Sequence, residues 1–234
     1  SKLNASALVG ISQEYNKRED ERFRKYDLAD DALTSINGGS TNGEIEGNYT
    51  EWAMRSYFGR INLSWDDKYL LEVNLRADGS SRFAPDKRWG WFPSVSAGWS
   101  ISEEPFLKKA AGWLDMLKLK GSWGTLGNQN LDRAYPAEPL LTNAYSAVFG
   151  TPSAIYPGYQ LAYLPNPKLR WEKVEAWEAG AEANFLRNRL HFEGVYYKKK
   201  TKDLLAEVPG ISGTVPGIGN LGSIENSGVE LALS

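Results

Sequence analysis

The sequence has no cysteine among its 234 residues, one histidine and two methionines. The absence of cysteine excludes a disulfide scaffold and thiol chemistry. The lone His191 has no cysteine or second histidine with which to bind a metal or build a triad, so we expect a structural role for it. Nowhere do about 18 apolar residues run together, which argues against a transmembrane helix. The net charge of -2 offers no broad basic surface for nucleic acid.

Strict alternation of apolar and polar residues is the most informative pattern that is present. It covers residues 69–78 (YLLEVNLRAD) and recurs over residues 94–102. A period of two places the two sets of side chains on opposite faces of a β-strand. Each segment is about ten residues long, the length that a tilted strand needs to cross a bilayer. The apolar face therefore covers either a soluble core or lipid, and in the second case the polar face lines a water-filled lumen.

The whole chain reads as an antiparallel all-β protein of about eight strands. Short connections at 66–68, 103–115 and 186–189 alternate with long ones at 15–54, 79–91, 127–170 and 202–222. This asymmetry is typical of outer-membrane barrels, which have short periplasmic turns and long extracellular loops. Residues 103–116 have the spacing of a short helix. The predicted strands are 3–14, 55–65, 69–78, 92–102, 116–126, 171–185, 190–201 and 223–234.

The long connections are predicted to be irregular. Residues 14–31 mix acidic and basic side chains as a solvated loop does, with at most one helical turn. Prolines and glycines are concentrated in residues 150–167 and 209–222. Because such residues interrupt a sheet ladder, we expect no buried strand in either segment.

Five blocks of sequence together resemble one family. They are SYFGRINLSWDDKYLLEVNLRADGSSRF (56–83), WGWFPSVSAGWSISEEPFL (89–107), LKLKGSWGTLGNQN (117–130), LRWEKVEAWEAGAEANFLRNRLHFEGVYYKKKTKDLL (169–205) and NLGSIENSGVELAL (220–233). In this order they are similar to the barrel of the SusC/RagA-type TonB-dependent transporters. The segments that match least, 15–50 and 131–168, are predicted loops, where members of a family differ most.

The resemblance implies a multi-pass β-barrel of the cell outer membrane that imports oligosaccharides or peptides in Bacteroidetes-type bacteria. It also implies several partners: TonB, acting through a plug domain, a SusD-like surface lipoprotein that caps the barrel, outer-membrane lipid and lipopolysaccharide. No cofactor is implied. About eight strands compare with roughly 22 in barrels of this class. We therefore expect residues 1–234 to be one partial barrel domain without the plug and the final strands.

Arg76, Asp78 and Arg82 are candidate substrate-binding residues, because they lie on or just beyond the polar face of the strand at 69–78. Together with Glu72 and Asn74 they would line the translocation path or hold the plug through charge pairs. The alternative is that they are ordinary members of the polar interior that any wide barrel has.

Aromatic residues supply the remaining candidates. Trp89 and Trp91, followed by Phe92, form a group near the outer rim that would either stack on sugar rings or belong to an interfacial belt. Tyr156 and Tyr159 lie in the long 127–170 connection, where they are placed to contact a ligand or lid. Tyr145, Phe149 and Tyr163 share that connection.

Other motifs are weaker. The lysines of residues 198–202 would meet lipopolysaccharide phosphates or simply be solvated. Gly217, Gly219 and Gly222 match G-x-G-x-x-G, but a strand is predicted after them where a nucleotide site needs a helix. Asp27, Asp30 and Asp31 lack the ligand order of a calcium loop, so we predict no metal site.

Two alternative functions remain open at this stage. A soluble carbohydrate-binding or adhesin module would use the same alternation to pack two sheets together. A barrel hydrolase or glycosidase would need two carboxylates at a fixed separation, and no pair is singled out. We therefore do not expect an enzyme.

Overall fold

A computed structural model describes residues 2–30, 32, 35–108, 112–131, 133–150, 154–211 and 213–234. Its centre is an eight-stranded antiparallel sheet in the order β1-β2-β3-β4-β5-β8-β9-β12, in which β1 and β12 form the two edges and the barrel is not closed. All eight predicted strands are confirmed. They are β1 Leu3–Leu28, β2 Gly39–Trp65, β3 Tyr69–Ser80, β4 Trp89–Ser100, β5 Leu114–Asn128, β8 Glu172–Phe185, β9 Leu190–Lys202 and β12 Ser223–Leu233.

The two faces of the sheet differ in polarity as the alternation predicts. On β3, Leu71, Val73 and Leu75 are exposed on one face, while Glu72 and Asn74 are half-buried on the other. Cross-strand register carries the same faces outward from β3, since Val73 pairs with Ile61 of β2 and with Val95 of β4. The apolar face is therefore continuous across neighbouring strands.

Two rows of aromatic side chains bound this apolar face. At the rim of short turns, Tyr69 and Trp99 stack with ring centroids 6.2 Å apart. At the opposite end, Tyr57 stacks on Trp89 at 5.8 Å. From Trp91 to Trp99 a strand advances about 26 Å, or about 20 Å along the membrane normal at the usual tilt. A transmembrane barrel has an apolar band about 25 Å tall between its aromatic girdles, so the two rows fit the two membrane interfaces.

The prediction of a loop over residues 15–54 is wrong. Strands β1 and β2 continue as one long hairpin that turns through a 3₁₀ segment at Ile36–Gly38. The charged residues that suggested a solvated loop pair across the two strands: Tyr15 Oη donates to Glu51 at 2.6 Å, and Arg24 lies 3.2 Å from Glu44. A hairpin beyond the membrane has water on both faces, so charged side chains are compatible with strand there.

The other long connections also contain strands. Residues 127–170 include the hairpin of β6 Leu141–Phe149 and β7 Ala154–Leu161, and residues 202–222 include that of β10 Leu205–Val208 and β11 Gly217–Asn220. Gly217 and Gly219 of β11 are buried, which corrects the expectation of no buried strand there. In two-stranded hairpins, prolines and glycines interrupt no larger ladder.

The short helix predicted within residues 103–116 is present. Among the described residues it is α1 Pro105–Lys108, and Ala110 and Ala111 lie outside the described residues. Ile101, which alternation placed on the apolar face of a strand, instead begins a 3₁₀ segment after β4 ends at Ser100. No helix in the described ranges is both long enough and apolar enough to span a membrane.

A small apolar core lies at the end of the sheet away from the short turns. Phe83, Phe92, Leu169 and Trp171 are buried there, and Leu169 is fully enclosed. Trp171 packs edge-on against Phe92 at 5.5 Å, and its indole N–H donates to the carbonyl of Arg88 at 2.8 Å. This cluster, the mouth core, fixes the connection after β3 against the segment that enters β8.

The lumen face and the extracellular mouth

The polar face of the sheet is strongly concave. Asn4 on β1 and Glu230 on β12, at opposite edges of the sheet, line one shared recess with Glu72, Ser96 and Ser122 from the strands between them. A flat sheet of eight strands would hold its edge strands more than about 30 Å apart, given about 4.8 Å between neighbours. The curvature, with polar residues inside and apolar residues outside, is that of a segment of a wide barrel around a wet lumen.

Two lysines of β5 lie across glycines of the neighbouring strands on this lumen face. Lys120 passes over Gly180 of β8 and forms an ion pair with Glu193 of β9, so the pair joins strands that are not adjacent. A Cβ at Gly180 would lie 3.3 Å from Cε of Lys120. Lys118 extends the opposite way over Gly98 of β4, where a Cβ would be 3.2 Å from its Cε. The glycines leave room for long charged side chains to lie along the wall.

Arg76 and Asp78 are paired with each other. Arg76 Nε lies 2.8 Å from Asp78 Oδ1 and 2.9 Å from Oδ2, and Arg76 Nη2 donates to Ser56 Oγ at 3.0 Å. The guanidinium also lies over the ring of Phe58 at 5.7 Å. Asp78 and Ser56 are buried. The two predicted site residues thus share the lumen face as expected, and within the described chain each has the other as its partner.

Arg82 lies above this pair in the connection after β3. Its Nη1 donates to the carbonyls of Gln129 and Leu131, both at 3.3 Å, and its guanidinium stacks on the ring of Trp52 at 4.8 Å. Burial lowers the pKa of Arg82. Arg133, which the sequence did not single out, lies over the ring of Tyr163 at 4.6 Å. Its position in a long connection offered no periodic signal that would have identified it.

Trp89 and Trp91 lie on the outer, apolar face, whereas Phe92 points to the opposite face and into the mouth core. Trp91 is 60% exposed and shares its face with Val95 and Ala97. The structure therefore divides the predicted aromatic group. Of the two interpretations offered for the tryptophans, their position favours the interfacial belt, because the outer face of the wall is turned away from the lumen.

Tyr156 and Tyr159 lie on β7 and are exposed, which is compatible with contact to a ligand or a lid. Tyr163 is different: it is buried, and its Oη donates to the carbonyl of Tyr135 at 2.9 Å. It supports the connection and the guanidinium of Arg133. Tyr145 and Phe149 belong to β6, but their side chains lie outside the described residues.

The weaker motifs take ordinary structural positions. Lys198 lies 2.8 Å from Glu225 and Lys202 lies 2.6 Å from Glu175, on the outer face at the end of β9. Gly222 precedes strand β12, so the G-x-G-x-x-G segment opens no helix. His191 Nδ1 is hydrogen-bonded to Asn184 at 2.6 Å. Asp31 lies outside the described residues, and among those described no cluster of three metal-ligating side chains occurs.

The curved sheet, its apolar exterior, its two aromatic rows and its polar interior define a wall segment of an outer-membrane β-barrel. The chain belongs to the TonB-dependent receptor-like β-barrel family, whose sequence model matches residues 1–234. It is 40% identical over 191 residues, 79% of this chain, to the TonB-dependent receptor SusC of Bacteroides thetaiotaomicron. It is 34% identical over 98% of its length to the TonB-dependent receptor P26 of Formosa agariphila. These relatives are receptors and transporters, not enzymes.

Solved structures agree on the fold. The RagAB peptide transporter matches 99% of this chain with a TM-score of 0.83 at 30% identity. The siderophore receptor PirA of Acinetobacter baumannii matches with a TM-score of 0.55 at 15% identity, which supports the fold alone. The chain spans 19% of SusC, 23% of P26 and 25% of the RagAB chain. It therefore corresponds to about a quarter or less of these relatives.

Proposed function

We propose that this chain forms part of the wall and mouth of an outer-membrane transporter that imports oligosaccharides or peptides. The observation that carries the proposal is the concave face, where polar side chains from β1 to β12 line one recess while the opposite face carries apolar residues between two aromatic rows. Such a wall separates a hydrated path from lipid. The likeness to the RagAB peptide transporter supports peptides as one of these substrate classes.

The proposed partners follow from the same relatives. A SusD-like surface lipoprotein would cover the mouth, TonB would supply energy through a plug, and lipid would contact the outer face. Lys198, Lys200 and Lys202 at the end of β9 lie on the outer face, level with Trp177 and beyond it, where they would meet phosphates of lipopolysaccharide.

Within the mouth we assign substrate contact to Arg82, Tyr156 and Tyr159, with Arg76 and Asp78 lining the path below them. Tyr156 and Tyr159 are exposed on a hairpin that takes no part in the main sheet. Because binding residues are commonly carried by loops on a rigid scaffold, this hairpin is the part to remove first. Trp89 and Trp91, which were candidates in the sequence, are assigned to the belt.

The test replaces residues 142–160 by Asn-Gly in the full-length transporter. Leu141 and Leu161 are cross-strand partners, so a two-residue turn can join them without disturbing the main sheet. We expect normal insertion in the outer membrane together with reduced substrate binding or lid docking. Ile155→Ala, on the same strand and 73% exposed, is the matched control and should leave both unchanged. Normal uptake and affinity after removal of the hairpin would exclude it from substrate capture.

A further inference from the structure

Two guanidinium groups of the mouth, those of Arg82 and Arg133, are partly buried and have no close carboxylate among the described residues. Neither Arg82 nor Arg133 lies within ion-pair distance of an acidic side chain in the described residues, although most other arginines have such a partner, as Arg76, Arg24 and Arg170 do. Glu14 acts on Arg82 only through its longer-range field. Enclosing a cation without a counter-charge is unfavourable, so a group that supplies that charge would bind here with a gain.

The hydrogen-bonding capacity of the two side chains is also unused. Arg82 Nε and Arg133 Nη1 are enclosed and have no hydrogen-bond acceptor within the described chain. Gln129 Oε1 is also enclosed, and no donor among the described residues reaches it. Arg82 Nη1 is taken by two carbonyls, which leaves Nη2 of the same group without an acceptor among the described residues and not enclosed. Nη2 is therefore the open donor of this guanidinium, which lies over the ring of Trp52.

The two arginines are held by one short segment of chain. Arg82 binds the carbonyl of Leu131, and Arg133 follows Leu131 by two residues, which span at most about 7 Å of backbone. Arg133 in turn rests on Tyr163, whose hydroxyl is bonded to the carbonyl of Tyr135. Residues on both sides of position 132 thus contact the two cations, each of which is supported by an aromatic ring.

We propose that Arg82 and Arg133 form an anion-binding pair at the extracellular mouth, and that the transported substrates carry carboxylates. The inference rests on the proposed function and narrows its substrate class. Guanidinium groups bind carboxylates through paired, charge-assisted N–H···O bonds, and this geometry is shared by a uronic acid and by an acidic peptide. Gln129 Oε1 would accept a hydrogen bond from a hydroxyl or amide next to that carboxylate.

The test uses the full-length transporter and four fluorescent probes: tetragalacturonate, maltotetraose, a pentapeptide with three glutamates, and the same peptide with glutamines. Binding is measured on the purified protein, and uptake on cells. We expect the protein to bind one acidic probe in preference to its neutral counterpart. Arg82→Gln and Arg133→Gln should each weaken that binding about tenfold, as expected for loss of a charged hydrogen bond, and should weaken neutral-probe binding by a smaller factor.

Two further variants separate charge from geometry. Arg82→Lys keeps the charge but not the planar fork, and it should recover only part of the affinity. Arg22→Gln, which removes an exposed arginine from the extracellular hairpin, is the matched control and should have no effect. Heat-modified mobility on gels confirms that every variant has a folded barrel.

The outcomes distinguish the inference from the proposed function. Preference for tetragalacturonate identifies acidic glycans, and preference for the glutamate peptide identifies acidic peptides. Failure of both acidic probes to bind, or equal affinities of Arg82→Gln and the unmodified protein for them, overturns the anion-binding pair. Uptake of the neutral probes alone would support the proposed import function and contradict the anion-binding pair. Tight acidic binding without energised uptake would uphold the pair and count against import.

Discussion

Leu169→Ala should loosen the extracellular mouth without unfolding the wall below it. Leu169 is fully enclosed in the mouth core, yet it lies in the segment before β8 and not in the main sheet. The substitution removes three carbon atoms from an apolar site, about 2.4 kcal/mol of transfer free energy at about 0.8 kcal/mol each. The cavity that remains adds to this loss, which gives a total within the usual range of about 2–5 kcal/mol.

The expected loss is local, so hydrogen exchange is the appropriate assay. A loss of about 2 kcal/mol raises the equilibrium constant for local opening about 30-fold. Two amides report on it: that of Lys87, bonded to the carbonyl of Ala84 at 2.8 Å, and that of Arg170, bonded to Asn220 Oδ1 at 2.9 Å. Both should exchange about 30-fold faster or more, while amides in the middle of β3 keep their rates.

Leu140→Ala provides the matched control, because Leu140 is 56% exposed and contributes little buried area. Its exchange profile should match that of the unmodified protein. Unchanged rates at Lys87 and Arg170 in the Leu169→Ala variant would show that the mouth core does not hold the connections together. Faster exchange throughout β3 would show that the core and the wall unfold as one unit.

Three other predictions address the faces, the packing and the periplasmic rim. Single cysteines at Glu72 and Val73 of the full-length transporter should react with a water-soluble thiol reagent at the first position only, and protection of both would argue for a sandwich. Gly127→Ala places a Cβ 2.1 Å from the ring of Phe92, so it should displace that ring and reduce heat resistance of the mouth more than Gly112→Ala, which has open space. Hydrogen bonds from Tyr69 and Trp99 hold the pKa of Glu104 below its ordinary value of 4.5, so their contribution to the free energy of unfolding should be present above that pH and lost as the pH falls below it. Tyr69→Phe should flatten the dependence of stability on pH in this range, and an unchanged dependence would show that the bond from Tyr69 does not stabilise the ionised Glu104.

The sequence predicted the transmembrane part of the fold because a wall between lipid and water imposes alternation on each strand. The sequence did not predict the long β1–β2 hairpin, because both faces of that hairpin contact water. Its residues therefore need not alternate between apolar and polar, and the pattern that identifies a strand is absent. The positions of Trp89 and Trp91 were available from the sequence, since they share the odd-numbered register of Val95 and Trp99. Proximity to the rim suggested a substrate role, whereas the alternation already placed them outside.

The candidate site was predicted less completely. Arg76 and Asp78 are two residues apart on one strand, so their common face followed from the period, but their mutual ion pair did not, because a rotamer decides whether they meet. Arg82 was identified by its nearness to the strand end. The position of Arg133 depends on its contact with the ring of Tyr163, 30 residues further along the chain, and no local pattern encodes that contact.

The β1–β2 hairpin projects outside the cell as an arm that joins the barrel wall at one end only. Among the described residues, β2 has no ladder partner on its β3 side before Met54, which pairs with Ser80, so about 14 residues of each strand extend about 45 Å beyond the wall. Arg82 contacts the ring of Trp52 near the base of this arm. The lateral stiffness of such an arm comes from backbone bonds and from exposed pairs such as Arg24–Glu44, and salt screens the latter. The bending stiffness of this hairpin should therefore fall as the ionic strength of the surrounding water rises. A protein that docks on its tip would then be held less rigidly in high salt than in low salt.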